Sequence, residues 1–161
     1  MDSLNYLRDV KDSIQFLHQS GEDYKDIVEE AYRKKGFRAT VLPFINDMAD
    51  AYAVSDIVIS RAGAMTISEL TACGKPSILI PYPYAAKDHQ RYNAEELGRI
   101  GAAEVLTEEA LSGKILAMLL KKYLYKPDEL HKMGEHCKGL AKTDASDKIV
   151  RLILSITEHS E

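Results

Sequence analysis

The sequence predicts an α/β fold in which a parallel sheet carries helices on both faces. Short β-branched and apolar runs alternate with segments of helical periodicity along most of the chain. The run Pro76-Ser-Ile-Leu-Ile-Pro81 has the continuous apolar centre expected of a strand buried on both faces. Glycine and proline stop signals fall where the helical segments should end. With 161 residues, 45% of them hydrophobic, the chain suffices for one domain with a buried core. A single Rossmann-like domain over residues 1–161 is therefore expected.

Ser3 to Asp12 reads as a helix and Ser13-Ile-Gln-Phe-Leu-His18 as a short strand. Ser20-Gly21-Glu22-Asp23 is a turn that opens a charged amphipathic helix to about Lys35, and Gly36 closes that helix. Ala39 to Pro43 is the next strand, its proline at the end, where a missing N–H does least harm. A short helix over Asp47–Val54 leads to the strand Asp56–Ser60. A helix from about Thr66 stops at Gly74, with Pro76 beyond it. Pro76–Pro81 is a strand, Tyr82–Lys87 a loop, and Asp88 a candidate cap for a helix to about Leu97. Ala102–Leu106 is the last strand. Three helices follow: about Glu108–Tyr123, Pro127–Ala141 and Ala145–His159. In the last, Ile149, Leu152, Ile153 and Ile156 recur at helical spacing, a face expected to pack on its own domain.

The formal charge of −4 and the interspersed signs argue against a nucleic-acid surface, which would show a basic face. Cys73 and Cys137 have no metal-ligand spacing and read as reduced, half-buried structural thiols. Met1 is followed by Asp-Ser-Leu-Asn-Tyr, which lacks the pattern of a signal peptide, and no apolar run approaches the ~18 residues of a membrane span. A soluble, cytoplasmic protein is expected.

In open α/β sheets, ligands bind beyond the carboxyl ends of the strands. Four segments fall there: His18–Gly21, Phe44–Asp47, Arg61–Ala64 and Tyr82–Gln90. In Ser60-Arg-Ala-Gly-Ala64, a strand turns into a helix almost without a spacer. Gly63 allows close backbone approach, the fresh helix offers unbonded N–H groups and a positive dipole end, and Arg61 adds a permanent charge. That combination suits a phosphate or diphosphate, although a tight turn alone would also want a glycine.

Thr66-Ile-Ser-Glu69 fits a capping box, in which Glu69 reaches back to the N-cap amide. The same carboxylate also fits the role of acceptor for a ribose diol. After the loop bearing Tyr82 and Tyr84, His89, Gln90 and Asn93 project toward one region or form a solvated first turn. His18 reads as a strand-end packing residue, and Asp47 and Asp50 as ordinary carboxylates of a first helical turn. HExxH, GxSxG, a Walker-type loop and Asp-x-Asp do not occur.

Four stretches in order resemble the C-terminal half of the MurG family of glycosyltransferases, glycosyltransferase family 28. They are HQSG (His18–Gly21), VLPFINDMADAY (Val41–Tyr52), SRAGAMTISEL (Ser60–Leu70) and DHQRYNAEEL (Asp88–Leu97). The likeness covers nearly the whole chain. It implies the GT-B architecture, two Rossmann-like domains with the active site between them. The C-terminal domain takes UDP-N-acetylglucosamine, and the N-terminal domain holds lipid I against the inner face of the plasma membrane. The reaction implied is transfer of GlcNAc, with inversion, to the C4 hydroxyl of the muramoyl sugar, forming lipid II for peptidoglycan and the cell wall. No metal or other cofactor is implied.

By the resemblance, Phe44 and Ile45 border the uracil, and Arg61, Gly63, Ala64, Met65 and Thr66 lie along the diphosphate and ribose. Glu69 holds the ribose hydroxyls, His89 and Gln90 contact the donor sugar, and Asn93 stands behind them. Some members have Gln where this chain has His89, and Ser where it has Ala62. No catalytic base is assigned. In the family, a strand and a glycine-rich loop precede the helix expected from Ser3. The chain is therefore expected to bind donor without transferring sugar alone. Its sheet is expected to close up, or to accept a strand from another copy by self-association. The alternative is a non-catalytic donor-binding subunit that works with a separate acceptor-binding chain. A gene fragment without activity of its own shares the same motifs.

Overall fold

A computed structural model describes residues 1–85, 88–141 and 144–158. The chain opens with two 3₁₀ helices, Asp2–Tyr6 and Arg8–Ser13, in place of the single helix expected over Ser3–Asp12. Leu4, Leu7 and Val10 are all buried. They recur every third residue, the 3₁₀ repeat, so the tighter helix turns all three onto the core.

The strands are β1 (Gln15–Gln19), β2 (Arg38–Leu42), β3 (Val58–Ser60), β4 (Ser77–Leu79) and β5 (Ala103–Val105). The helices are α1 (Lys25–Lys35), α2 (Met48–Val54), α3 (Ala64–Cys73), α4 (His89–Arg99), α5 (Gly113–Tyr125), α6 (Pro127–Lys138) and α7 (Ala145–Glu158). All ladders are parallel, as the alternation of strands and helices predicts. Gly36 and Gly74 end α1 and α3 in left-handed backbone, the conformation their stop signals require. Asp47 Oδ1 accepts the Asp50 amide at 3.1 Å and caps α2.

Two helix starts differ from expectation. α5 begins at Gly113, capped by Ser112 through the Ile115 amide, and not at Glu108. α3 begins at Ala64, ahead of Thr66, because Ile67 already donates to the Gly63 carbonyl. α6 ends at Lys138, short of Ala141. Within the loop expected over Tyr82–Lys87, Ala86 and Lys87 lie outside the described residues, as does His159 at the end of the last helix.

The strands form two sheets, β1-β2 and β3-β4-β5, and among the described residues no ladder joins them. The expected closing-up of the sheet does not occur. Leu17 in β1 and Ile59 in β3 remain 38% and 39% exposed, whereas every residue of β4 is buried. Both sheets nevertheless rest on one apolar cluster. Leu4, Leu7, Phe37, Val41, Ile78 and Leu120 belong to it, with Phe16 and Ile57 packed alongside. A second cluster around Tyr52, Ala62, Leu70, Leu79, Leu97 and Cys137 joins α2, α3, α4 and α6 to the larger sheet.

Cys137 is buried and Cys73 exposed, in place of two half-buried thiols. Burial pushes the Cys137 thiol up to about 11, as suits a packing residue. The apolar stripe of α7 is not covered by the domain: Ile149, Leu152, Ile153 and Ile156 are 55% to 61% exposed. Periodicity reveals an apolar face but not the surface that covers it. Among the described residues, no helix is long and apolar enough to cross a membrane, and no group of His, Cys, Asp or Glu is arranged to hold a metal ion.

Candidate functional site

β1, β2, β3 and β4 end at Gln19, Leu42, Ser60 and Leu79, so the four predicted segments all leave carboxyl ends of strands. Beyond β1 and β2, the Ser20 and Gly21 amides donate to Leu42 and Pro43 carbonyls and carry the pairing into the loops. There Phe44 and Ile45 line a cleft of about 370 Å³ together with Leu17, Leu42 and Val54. Phe44 is 63% exposed, a large apolar ring held at the mouth of that cleft. The Ile45 amide donates to Gln19 Oε1 at 2.9 Å, which fixes the loop after β2 to the end of β1. His18 has the packing role its position suggests. Its Nδ1 lies 3.1 Å from the Tyr32 hydroxyl, and burial, aided by the positive amino terminus, lowers its pKa.

Beyond β3, the turn Arg61–Gly63 runs directly into α3. Gly63 occupies the N-cap position without a side-chain cap, and the first-turn amides of Ala64, Met65 and Thr66 precede the helical ladder. This geometry overturns the capping-box reading of Thr66 and Glu69. With the N-cap at Gly63, Glu69 stands in the second turn, too far along to reach back to it. Its Oε2 accepts instead from the Tyr52 hydroxyl at 2.8 Å. Burial and the neighbouring carboxylate together raise the Tyr52 pKa, so the phenol stays a donor.

Arg61 is held by its surroundings. Nη1 donates to the carbonyls of Ile80 and Pro81 at 3.3 and 3.4 Å, and the guanidinium lies 5.4 Å from the Tyr82 ring centroid. It also pairs with Glu108 at 3.4 Å, both side chains nearly half exposed. The Tyr82 amide donates in turn to Gln90 Oε1 at 3.0 Å, and Asn93 Nδ2 donates to the Ala62 carbonyl at 3.0 Å. Asn93 thus faces the Arg61–Gly63 turn, while Gln90 holds the start of the loop after β4, beside the Tyr82 ring on which Arg61 lies. His89 is exposed at the start of α4. Asp88 sits in left-handed backbone at φ 53°, and its carboxylate accepts no capping amide, contrary to the role expected of it.

The structure therefore gathers Arg61, the α3 N-terminus, Gln90 and Asn93 at one place. Phe44 and Ile45 stand at the end of the smaller sheet, joined to the first group through α2 and the Tyr52–Glu69 bond. Tyr52 and Glu108 carry this arrangement without a signal in the sequence, and Gln19, which the sequence places in the turn after β1, reaches across to the Ile45 amide. Tyr52 looks like one more apolar-face residue of a short helix, and Glu108 like part of a helix that in fact begins later. A separate cleft of about 350 Å³ lies beside β5, α5 and α6. Its Glu104, Lys122 and Tyr123 bind one another at 2.6 to 3.1 Å, a closed structural network.

The glycosyltransferase family 28 C-terminal domain profile matches residues 3–149. Two curated relatives carry the name UDP-N-acetylglucosamine--N-acetylmuramyl-(pentapeptide) pyrophosphoryl-undecaprenol N-acetylglucosamine transferase. One, from Geobacter metallireducens, is 48% identical over 91% of this chain and 40% of its own length. The other, from Thermodesulfovibrio yellowstonii, is 49% identical over 96% of this chain and 42% of its own. The chain thus spans about two fifths of those relatives. The crystal structure of Acinetobacter baumannii MurG superposes with a TM-score of 0.83 at 29% identity, covering 96% of this chain and 48% of that one. The glycosyltransferase VinC, solved in complex with dTDP, shares the fold at a TM-score of 0.57 and 15% identity. The parallel strands and flanking helices are those of a Rossmann-like C-terminal GT-B domain, and the chain belongs to glycosyltransferase family 28 as its C-terminal domain.

Proposed function

We propose that residues 1–161 are the donor-binding domain of a transferase that moves N-acetylglucosamine from UDP to lipid I, forming lipid II in peptidoglycan synthesis. The observation that carries this reading is the meeting of the open α3 N-terminus, Arg61, Gln90 and Asn93 beyond the ends of β3 and β4. Family membership and the names of the curated relatives support it. In this reading Phe44 and Ile45 flank the uracil, and Ile45 exchanges its bond to Gln19 for one to the base. Glu69 accepts from the ribose hydroxyls. Ala64, Met65 and Thr66 donate amides to the diphosphate, Gly63 lets it approach, and Arg61 supplies charge. His89 and Gln90 face the sugar, with Asn93 bracing the turn behind.

The chemistry follows from charge. As the acceptor C4 hydroxyl forms its bond to the anomeric carbon, the bond from that carbon to the β-phosphate oxygen breaks on the opposite face. The electron pair leaves with UDP. The helix N-terminus and Arg61 stabilise that growing negative charge, and both are already oriented before reaction. No residue of this chain is assigned as the base that takes the acceptor proton. The acceptor half belongs to the rest of the protein or to a partner chain, at the inner face of the plasma membrane. Titration calorimetry with UDP-GlcNAc, with UDP-glucose as the competitor sugar, tests the reading. Selective binding that a Glu69→Ala variant abolishes is expected; no binding, or equal binding of both, contradicts it.

A second reading is a donor-binding subunit without activity of its own that works with a separate acceptor-binding chain. The exposed Ile149 and Leu152 on α7 favour it, being an apolar surface of the kind a protein partner covers. Co-purification of a second chain would distinguish it. The ladder edges of β1 and β3 also support uptake of a strand, from the rest of the protein or from another copy. A strictly monomeric species in sedimentation would count against self-association.

A further inference from the structure

We propose that Tyr52 is a positioning residue for the donor site, its hydroxyl holding the Glu69 carboxylate in the orientation that accepts a ribose diol. The inference rests on the reading of Glu69 given above. Glu69 projects from the second turn of α3 on a flexible side chain, and a carboxylate that must meet two hydroxyls at once gains from being fixed beforehand. Tyr52 is suited to fix it. The residue is only 4% exposed and lies in the cluster of Ala62, Leu70 and Leu79, so its ring has little freedom. Its hydroxyl donates to Oε2 at 2.8 Å. An ionised carboxylate oxygen accepts more than one hydrogen bond, so this contact does not exhaust Glu69 as an acceptor.

The bond also spans the molecule in a useful place. Tyr52 belongs to α2, which follows the Phe44–Ile45 loop and is capped by Asp47. Glu69 belongs to α3, which follows the Arg61–Gly63 turn. No ladder joins the two sheets among the described residues, so the Tyr52–Glu69 bond ties the base-side half of the site to its phosphate-side half. A tyrosine that merely satisfied its own buried hydroxyl would stabilise the fold without favouring one ligand over another.

The test compares UDP with 2′,3′-dideoxyuridine diphosphate, which keeps base and diphosphate but lacks the diol. Tyr52→Phe is expected to weaken UDP binding by roughly fivefold to tenfold, the loss of one charge-assisted hydrogen bond. Its effect on the dideoxy ligand is expected to be less than about twofold, since that ligand makes no use of Glu69. On a Glu69→Gln background the same substitution should add nothing further to the loss for UDP. Equal weakening of both ligands, an undiminished UDP affinity in Tyr52→Phe, or full additivity with Glu69→Gln overturns the positioning role. A wild-type chain that binds neither nucleotide overturns the donor reading itself, and the role of Tyr52 with it.

Discussion

The Arg61 guanidinium lies 3.4 Å from the Glu108 carboxylate while it holds the carbonyls of Ile80 and Pro81. The carbonyls aim it at the end of β4, beside the α3 N-terminus. Glu108 offsets its charge at the point where a diphosphate would need it.

The two residues should therefore act in opposite directions on donor affinity. Arg61→Ala removes a cation from the leaving-group site and is expected to weaken UDP-GlcNAc binding about tenfold or more. Glu108→Gln releases Arg61 from an exposed pair worth roughly 0.2–1 kcal/mol, so binding should tighten, by up to about fivefold. Calorimetric titration of the two variants checks both signs. Weaker binding in Glu108→Gln would mean that the pair orients Arg61 and does not restrain it.

Helix packing depends on a close approach at Gly134. A Cβ added there would lie 2.9 Å from the Gly74 carbonyl oxygen. That oxygen belongs to the backbone that ends α3 in left-handed geometry, so it has little room to yield. Gly134→Ala should separate α6 from α3 and cost roughly 1–3 kcal/mol, lowering the thermal midpoint by several degrees. A midpoint equal to wild type would show that α6 slides freely against α3.

Acid sensitivity should trace in part to His18. Burial, with the positive amino terminus second, lowers its folded pKa below the ordinary 6.5. As pH falls through 6.5, the unfolded chain therefore takes up the proton before the folded one does. The unfolded state then binds more protons, so stability declines with acidification until the folded pKa is passed, and recovers as pH rises. Urea midpoints at about pH 7.5 and about pH 5.5 should fall less in His18→Asn than in wild type. An identical fall in both would exclude His18 as a contributor.

Much of the fold was legible because its signals are local. Gly36 and Gly74 stop helices through backbone conformations written into the residue type, and Ile78 and Leu79, the apolar centre of β4, mark a strand covered on both faces. The first segment is ambiguous in sequence because Leu4, Leu7 and Val10 fit an α-helix loosely and a 3₁₀ helix well, and only packing decides between them. Gly63 displaced Thr66 as the start of α3 for a related reason: a glycine N-cap has no side chain to announce it. That shift of helix start changed the meaning of Glu69. The carboxylate's partner, Tyr52, is remote in sequence and unpredictable from spacing. Glu108 and Gln19 are in the same position, since each acts through a tertiary contact that no local pattern encodes.

The central claim is that one nucleotide sugar occupies both halves of the site together. Amide chemical-shift mapping of the chain during titration with UDP-GlcNAc tests it most directly. The expected result is a set of shifts that saturate together at Ile45 beyond β2, at Ala64, Met65 and Thr66 opening α3, and at Gln90 in α4. Shifts confined to one of these groups, or centred instead on the cleft around Lys122 and His136, would contradict it.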